Sequence, residues 1–262
     1  MMDLGITGKV ALVFGAGSGL GQAIALSLGR EGAHVWCAGR HGETLEATAQ
    51  AIRAAGGKAD AQTWDLADLS VIDANVGHIE ASSGPVGILV NNTGGPPPTT
   101  AHGQSPDVWL SNFQSMVLSV VAITDRVLPG MRAAKWGRIV TSTSSGVVAP
   151  IPNLAMSNAL RLSLVGWSKT LAREVGGDGI TANIVLPGRI ATSRIQFLDE
   201  QKAKRESRSV EAVASDSLAS IPLGRYGDPA EYGDTVAFLA SARASYITGS
   251  TIRVDGGMIT SI

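Results

Sequence analysis

The 262-residue chain has one cysteine, Cys37. This excludes a disulfide framework and a thiolate metal cluster. Net charge is almost absent: 21 Lys and Arg stand against 22 Asp and Glu, for a formal charge of −1. Binders of nucleic acid carry a basic excess, so the balance argues against that class of partner. No apolar run approaches the roughly 18 residues of a membrane span. The first ten residues lack the basic-then-apolar pattern of a signal peptide. A cytoplasmic protein with no membrane or nucleic-acid partner is expected. The four histidines, His34, His41, His78 and His102, are scattered, and none is spaced with carboxylates as a ligand set. No metal site is expected. Tyrosine is scarce as well. The three residues, Tyr226, Tyr232 and Tyr246, all fall in the last fifth of the chain.

Glycine is plentiful: 32 residues, against about 18 at an average usage of roughly 7%. Short apolar runs alternate with helical patterns along the whole chain. Strands are predicted at 9–14, 34–38, 58–63, 87–90, 138–142, 181–186 and 250–254. Helices are predicted at 19–31, 43–55, about 68–81, about 106–134, 153–175 and 229–241, with a polar, helix-prone stretch over 192–220. Continuous apolar strands joined by helices imply an α/β protein with a parallel sheet covered on both faces. One domain over 1–262 is expected, since no linker or repeat interrupts the pattern.

The first predicted strand runs into Phe14-Gly15-Ala16-Gly17-Ser18-Gly19-Leu20-Gly21 and then a helix. Bare backbone permits positive φ and close approach to a ligand. The helix start offers free N–H groups and a positive dipole end to phosphates. Gly15, Gly17, Ser18, Gly19 and Leu20 are therefore candidate cofactor contacts in the strand–loop–helix context that a dinucleotide needs. The second strand ends Ala38-Gly39-Arg40-His41, without the acidic residue that would bind an adenosine ribose 2′-hydroxyl. Arg40 suits a 2′-phosphate, so NADP is expected rather than NAD.

These features resemble the short-chain dehydrogenase/reductase family over the whole chain. Asp65-Leu66 resembles the family's adenine-contacting pair, and Asn91-Asn92-Thr93-Gly94 its Asn-Asn-Ala-Gly strand end. Pro187-Gly188-Arg189-Ile190-Ala191-Thr192 looks like the segment over the nicotinamide. Ile221-Pro222-Leu223-Gly224-Arg225 and Val254-Asp255-Gly256-Gly257 look like the ends of bacterial 3-oxoacyl-[acyl-carrier-protein] reductases. The resemblance implies a Rossmann-type, doubly wound, seven-stranded parallel sheet with helices on both faces. It also implies cofactor contacts from Asp65, Leu66, Asn92, Gly94, Pro187, Gly188, Ile190 and Thr192, and from Arg161 at the lysine position, where a guanidinium can still hydrogen-bond ribose hydroxyls. A homotetramer or homodimer is implied, built on the helices that begin near Pro106 and Asn153 and on the last strand.

The family's chemistry rests on Asn, Ser, Tyr and Lys, and here the set is degenerate. Ser144 stands at the serine position, Ser157 where the tyrosine should be and Arg161 where the lysine should be. Counting back from Leu171-Ala172 gives the same register, and Met116 takes the asparagine position. The next lysine, Lys169, lies eight residues past Arg161, about 12 Å along a helix and too far to substitute. A serine hydroxyl is shorter and far less acidic than a phenol of pKa near 10. Arginine keeps the charge but, with a pKa above about 12, does not share a proton. Two readings follow. One is an atypical reductase of a small carbonyl or alcohol, with Ser144, Ser157 and Arg161 polarising the substrate. The other is a cofactor-binding protein without ordinary reductase activity, a sensor or an assembly partner.

The loop Gly94-Gly95-Pro96-Pro97-Pro98 either walls the substrate pocket or is a rigid connector. Residues 193–220 correspond to a substrate lid whose charges balance, which gives no argument for an anionic substrate. Arg189 and Arg194 would meet a carboxylate only if they point inward.

Overall fold

The computed structural model describes residues 3–261. Seven strands form one sheet: β1 (Val10–Phe14), β2 (His34–Gly39), β3 (Lys58–Thr63), β4 (Val86–Asn92), β5 (Gly137–Ser142), β6 (Ile180–Pro187) and β7 (Thr251–Val254). Their order is β3-β2-β1-β4-β5-β6-β7 and every pairing is parallel. The strand order reverses between β1 and β4. Open α/β sheets bind ligands outside the carboxyl ends of the strands at such a switch point.

Alternate residues of a strand face opposite sides, and the two helical layers follow from that. Ala11 and Val13 of β1 meet Ile24 and Leu28 of α1 (Gly19–Arg30), Ile52 of α2 (Gly42–Ala54) and Val236 of α9 (Pro229–Leu239). Leu12 and Phe14 face the other layer. There Val76 and Ile79 of α3 (Ile72–Ser83), Ile123 and Val127 of α5 (Ser119–Ala133), and Leu171 and Val175 of α6 (Ala155–Val175) close the second core. Among the described residues no helix is long and apolar enough to cross a membrane.

Three predicted elements differ in detail. The helix expected over 106–134 is α4 (Pro106–Phe113), a π turn at Gln114–Leu118, and α5. The wider turn carries Met116, 3% exposed. The stretch 192–220 is two helices, α7 (Ser193–Glu206) and α8 (Val210–Ala219), split at Ser207 with φ +52°. Strand β4 extends through Asn91 and Asn92, because both pair with β5 at Thr141 and Ser142. Apolar pattern alone stops at Val90.

Helices α1 and α9 touch at Gly233. A Cβ there would lie 2.5 Å from the Ala23 carbonyl oxygen and 2.7 Å from Ser27 Oγ. Two helix backbones cannot part without opening the layer over β1. Gly233→Ala is expected to cost about 2 kcal/mol, in the range of overpacked cores. Urea unfolding checks this, and an unchanged midpoint would show that the two helices are free to separate.

Candidate active site

At the switch point the strand ends open into a cleft of about 970 Å³. Every residue expected from the sequence to hold cofactor or substrate lines it: Gly15, Gly17, Ser18, Gly19, Leu20, Arg40, Asp65, Leu66, Asn92, Gly94, Pro187, Gly188, Ile190, Thr192, Ser144, Ser157 and Arg161. The side chains come from six strand ends and from α6, which explains why no single stretch of sequence shows the site.

One half is built on β1 and β2. Gly15 takes φ +66° and its backbone packs on the Asn92 side chain, whose amide donates to the Phe14 carbonyl at 3.2 Å. A Cβ on Gly21 would overlap the Gly15 carbonyl, so loop and helix fit only with bare backbone. Helix α1 starts at Ser18 with no side-chain cap and no acidic residue in its first turn. Its first N–H groups are left to a ligand, unlike those of α7, which Thr192 caps through the Ile195 N–H. Arg40 is exposed, has no carboxylate partner among the described residues, and projects from the end of β2 beside His41 and Thr44. Uncapped helix, glycine cradle and free guanidinium together fit a dinucleotide with an added phosphate.

The other half is built on β4, β5, β6 and α6. The backbones of Thr99 and Asn153 are joined, Thr99 N–H donating to Asn153 O at 2.8 Å and Ala155 N–H to Thr99 O at 3.2 Å. Asn158 holds the turn before α6 through both Ile151 backbone groups. This clamps the Gly94–Pro98 loop to α6 and makes it a wall, with Gly95 and Pro98 on the cleft. On α6, Ser157 and Arg161 share the cleft face at i, i+4, while Leu160, Leu164 and Leu171 are buried. Ser144 accepts from the Gly146 N–H at 3.1 Å, which leaves its hydroxyl proton for the cleft. Met116 lines the same end and brings no hydrogen-bonding group beyond a thioether.

Arg161 is 8% exposed. It donates to the backbone carbonyls of Gly94 at 2.9 Å, Thr93 at 3.2 Å and Ser142 at 3.4 Å. No carboxylate pairs with it among the described residues. Burial, with Arg194 nearby as a second cause, pulls its pKa down to about 10. The group stays cationic at neutral pH, as expected of an arginine. Tyr232, the tyrosine nearest to this site, is fully buried behind the sheet, its hydroxyl 2.7 Å from Ser142 Oγ. Burial raises its pKa, and it does not line the cleft.

Among the described residues three buried side-chain atoms have no partner: Trp64 Nε1, Thr93 Oγ1 and Thr143 Oγ1. All three residues line the cleft. Buried polar atoms are nearly always paired, so the three mark this cleft as a site completed by a ligand. The sequence reading missed Thr143 and Trp64; neither sits in a motif, and only the unpaired atoms reveal them. Cys37 lies in the core with its thiol pushed up to about 12 by burial, and is inert. His102 is an exposed loop residue. Arg189 does not face the cleft as a free cation, because Asp199 holds it at 2.5 Å.

The family described as Enoyl-(Acyl carrier protein) reductase matches residues 15–259. The 3-oxoacyl-[acyl-carrier-protein] reductase FabG of Pseudomonas aeruginosa is 37% identical over 260 residues, covering 98% of this chain and 100% of that protein. The chain belongs to the short-chain dehydrogenase/reductase family. Among solved structures of this family, L-sorbose reductase from Gluconobacter frateurii, complexed with NADPH and L-sorbose, superposes with a TM-score of 0.93. It is 32% identical, and the match covers 100% of both chains. An actinorhodin polyketide ketoreductase with NADPH gives 0.91 at 34% identity, over 95% of this chain and 97% of the other. The short-chain dehydrogenase/reductase fold thus extends over the described residues.

Proposed function

We propose that this protein is an NADP-dependent oxidoreductase acting on a small carbonyl or alcohol, with an atypical set of site residues. The observation that carries it is a single cleft that joins an uncapped, glycine-cradled helix start to Ser144, Ser157 and Arg161. The FabG relative and the two solved neighbours described above are reductases, and both of those structures hold NADPH.

The N–H groups at Gly19 and Leu20 would hold the pyrophosphate, Arg40 the 2′-phosphate, Asp65 and Leu66 the adenine end. Asn92, Gly94, Pro187, Gly188, Ile190 and Thr192 would hold the nicotinamide end. When bound, NADPH supplies a hydride. The Ser144 and Ser157 hydroxyls donate to the substrate oxygen. Arg161 holds a fixed positive charge beside the oxygen as it becomes an alkoxide, the preorganised stabilisation that lowers a barrier most. None of the three yields a proton readily at neutral pH, so the proton would come from water. Residues 193–220 serve as a lid. The exposed Leu110 (64%) and Leu162 (52%) on α4 and α6 support assembly into a homotetramer or homodimer, working in the cytoplasm.

Fluorescence titration with NADPH and NADH, followed by turnover on carbonyl and alcohol panels, tests this reading. NADPH binding with turnover is expected; tight binding without turnover on any substrate would leave a binding protein instead. Arg40→Ala is expected to weaken NADPH about 10- to 100-fold, the worth of one charge-assisted phosphate contact, and to leave NADH unchanged. Equal losses for both nucleotides would remove Arg40 from phosphate recognition.

A further inference from the structure

The charges of segment 193–220 cancel in sequence but are sorted in space. Asp199 is held by Arg189 at 2.5 Å and by the Tyr226 hydroxyl at 2.8 Å. Asp216 is held by Arg208 at 2.6 Å, and Glu206 meets Arg205 and Arg208. Three of the five acids of the segment are thus ion-paired, Asp199 by Arg189 from outside it and Glu206 and Asp216 within it. Arg194, Lys202 and Arg205 line the cleft, whereas Asp65, at the adenine end, is the one carboxylate among the described residues that does.

Arg194 has no carboxylate partner among the described residues. Its Nη2 donates to the Pro96 carbonyl at 3.0 Å, and its guanidinium lies 5.6 Å from the Phe197 ring centroid, so its direction is fixed. It converges with Arg161 above Gly95. A Cβ built on Gly95 would lie 3.4 Å from Arg194 Nη2 and 3.6 Å from Arg161 Nη2. Two guanidiniums thus flank one point, each donating to backbone carbonyls and neither paired with a carboxylate among the described residues. Like charges brought together in a partly desolvated place are costly unless an anion joins them. Partial desolvation lowers the pKa of Arg194, and both stay charged at neutral pH. Arg194 also stands in the first turn of the fourteen-residue α7, whose dipole adds positive potential at the same end.

The cradle for cofactor phosphates is the α1 start with Arg40, on the β1–β2 side, whereas the pair sits over the ends of β4 and β5 beside Gly94–Pro96. The start of α7 borders that cradle, with the Thr192 methyl 3.6 Å from a Cβ built on Gly19, so the test below separates a cofactor role for Arg194 from a substrate role.

We infer that the substrate carries a carboxylate, held by Arg194 and Arg161 near the carbonyl or hydroxyl that reacts. The inference rests on the oxidoreductase reading and narrows it to oxo-acids and hydroxy-acids. Two forked guanidiniums suit a carboxylate's paired oxygens, and they orient the neighbouring carbonyl toward Ser144 and Ser157.

The test uses three matched pairs: pyruvate, acetoacetate and 4-oxopentanoate, each against its methyl ester. Within a pair the ester removes the charge and adds one methyl group, and the series places the carboxylate at three distances from the ketone. Each is titrated calorimetrically into the protein saturated with NADP⁺, a complex that cannot reduce a ketone. At least one acid is expected to bind tenfold or more tighter than its ester. Arg194→Gln should abolish that preference and Arg194→Lys restore part of it, with melting curves confirming that both variants fold. Equal binding of acid and ester in all three pairs would overturn the inference and leave the oxidoreductase reading standing. So would an Arg194→Gln protein that keeps the preference but loses NADP⁺ affinity, since Arg194 would then serve the cofactor. Wild-type protein that fails to bind NADP⁺ at all would defeat both readings.

Discussion

Replacing Arg161 by methionine is expected to lower kcat/KM for carbonyl reduction about 100- to 1,000-fold, the usual cost of removing a preorganised donor at a developing oxyanion. NADPH affinity should fall far less, because the phosphate cradle is on the opposite side of the switch point. The wild-type rate should be level from pH 7 to 9, since Ser144 and Ser157 do not titrate there and Arg161 remains charged. It should decline as pH passes about 10, where the buried guanidinium loses its proton. The sign follows from the folded-state value: burial disfavours the cation, so the charge the site needs disappears earlier than in an exposed arginine. Stopped-flow single turnovers separate chemistry from binding. A methionine variant that reduces ketones at the wild-type rate would remove Arg161 from the reaction.

The largest gain is expected from Ser157→Tyr combined with Arg161→Lys. The pair would stand at i, i+4 on the cleft face of α6, and the cleft has room for the larger side chain. A phenol beside an ammonium is a far better proton donor than a serine hydroxyl. General acid catalysis is worth about 100- to 10,000-fold, so ketone reduction should rise by that order. The pH profile should change as well, with the rate falling as pH rises through the new tyrosine's ionisation, pulled below its usual value by the lysine. A double variant no faster than wild type, with an unchanged profile, would mean that the native site already has an efficient acid, and the mechanism proposed above would be wrong.

The fold was legible because the central strands, β1 above all, are continuous apolar runs and each layer a helical pattern, whereas β3 (KADAQT) and β7 (TIRV) are weaker signals. The seven strands, their parallel arrangement and the two layers follow from that alternation. Element ends were less legible. Asn91 and Asn92 look like loop residues until pairing with Thr141 and Ser142 draws them into β4. The π turn at Gln114–Leu118 keeps helical periodicity on both sides, so pattern alone does not reveal it.

The site was readable wherever chemistry needs a residue type at a fixed spacing, as in the glycine loop, the Ser144 register and the α6 pair. It was unreadable wherever the decisive fact is what a side chain lacks in space. A count of lid charges gives zero, and only the placement of Arg194, bonded to the Pro96 carbonyl with no carboxylate partner among the described residues, shows that it is left over. In the same way Thr93 and Thr143 are unremarkable letters until their hydroxyls are found buried without partners.

The strand order has a consequence for engineering. Arg40 leaves the sheet at β2, while Arg161 sits over β4 and β5. With β1 between them, two to three strand spacings of about 4.8 Å, or roughly 10–14 Å, separate the two groups. Perturbations that far apart without shared contacts add in free energy. Coenzyme preference and turnover are therefore separable properties, and a variant with NADH in place of NADPH can be built without disturbing how the other half of the cleft treats its substrate.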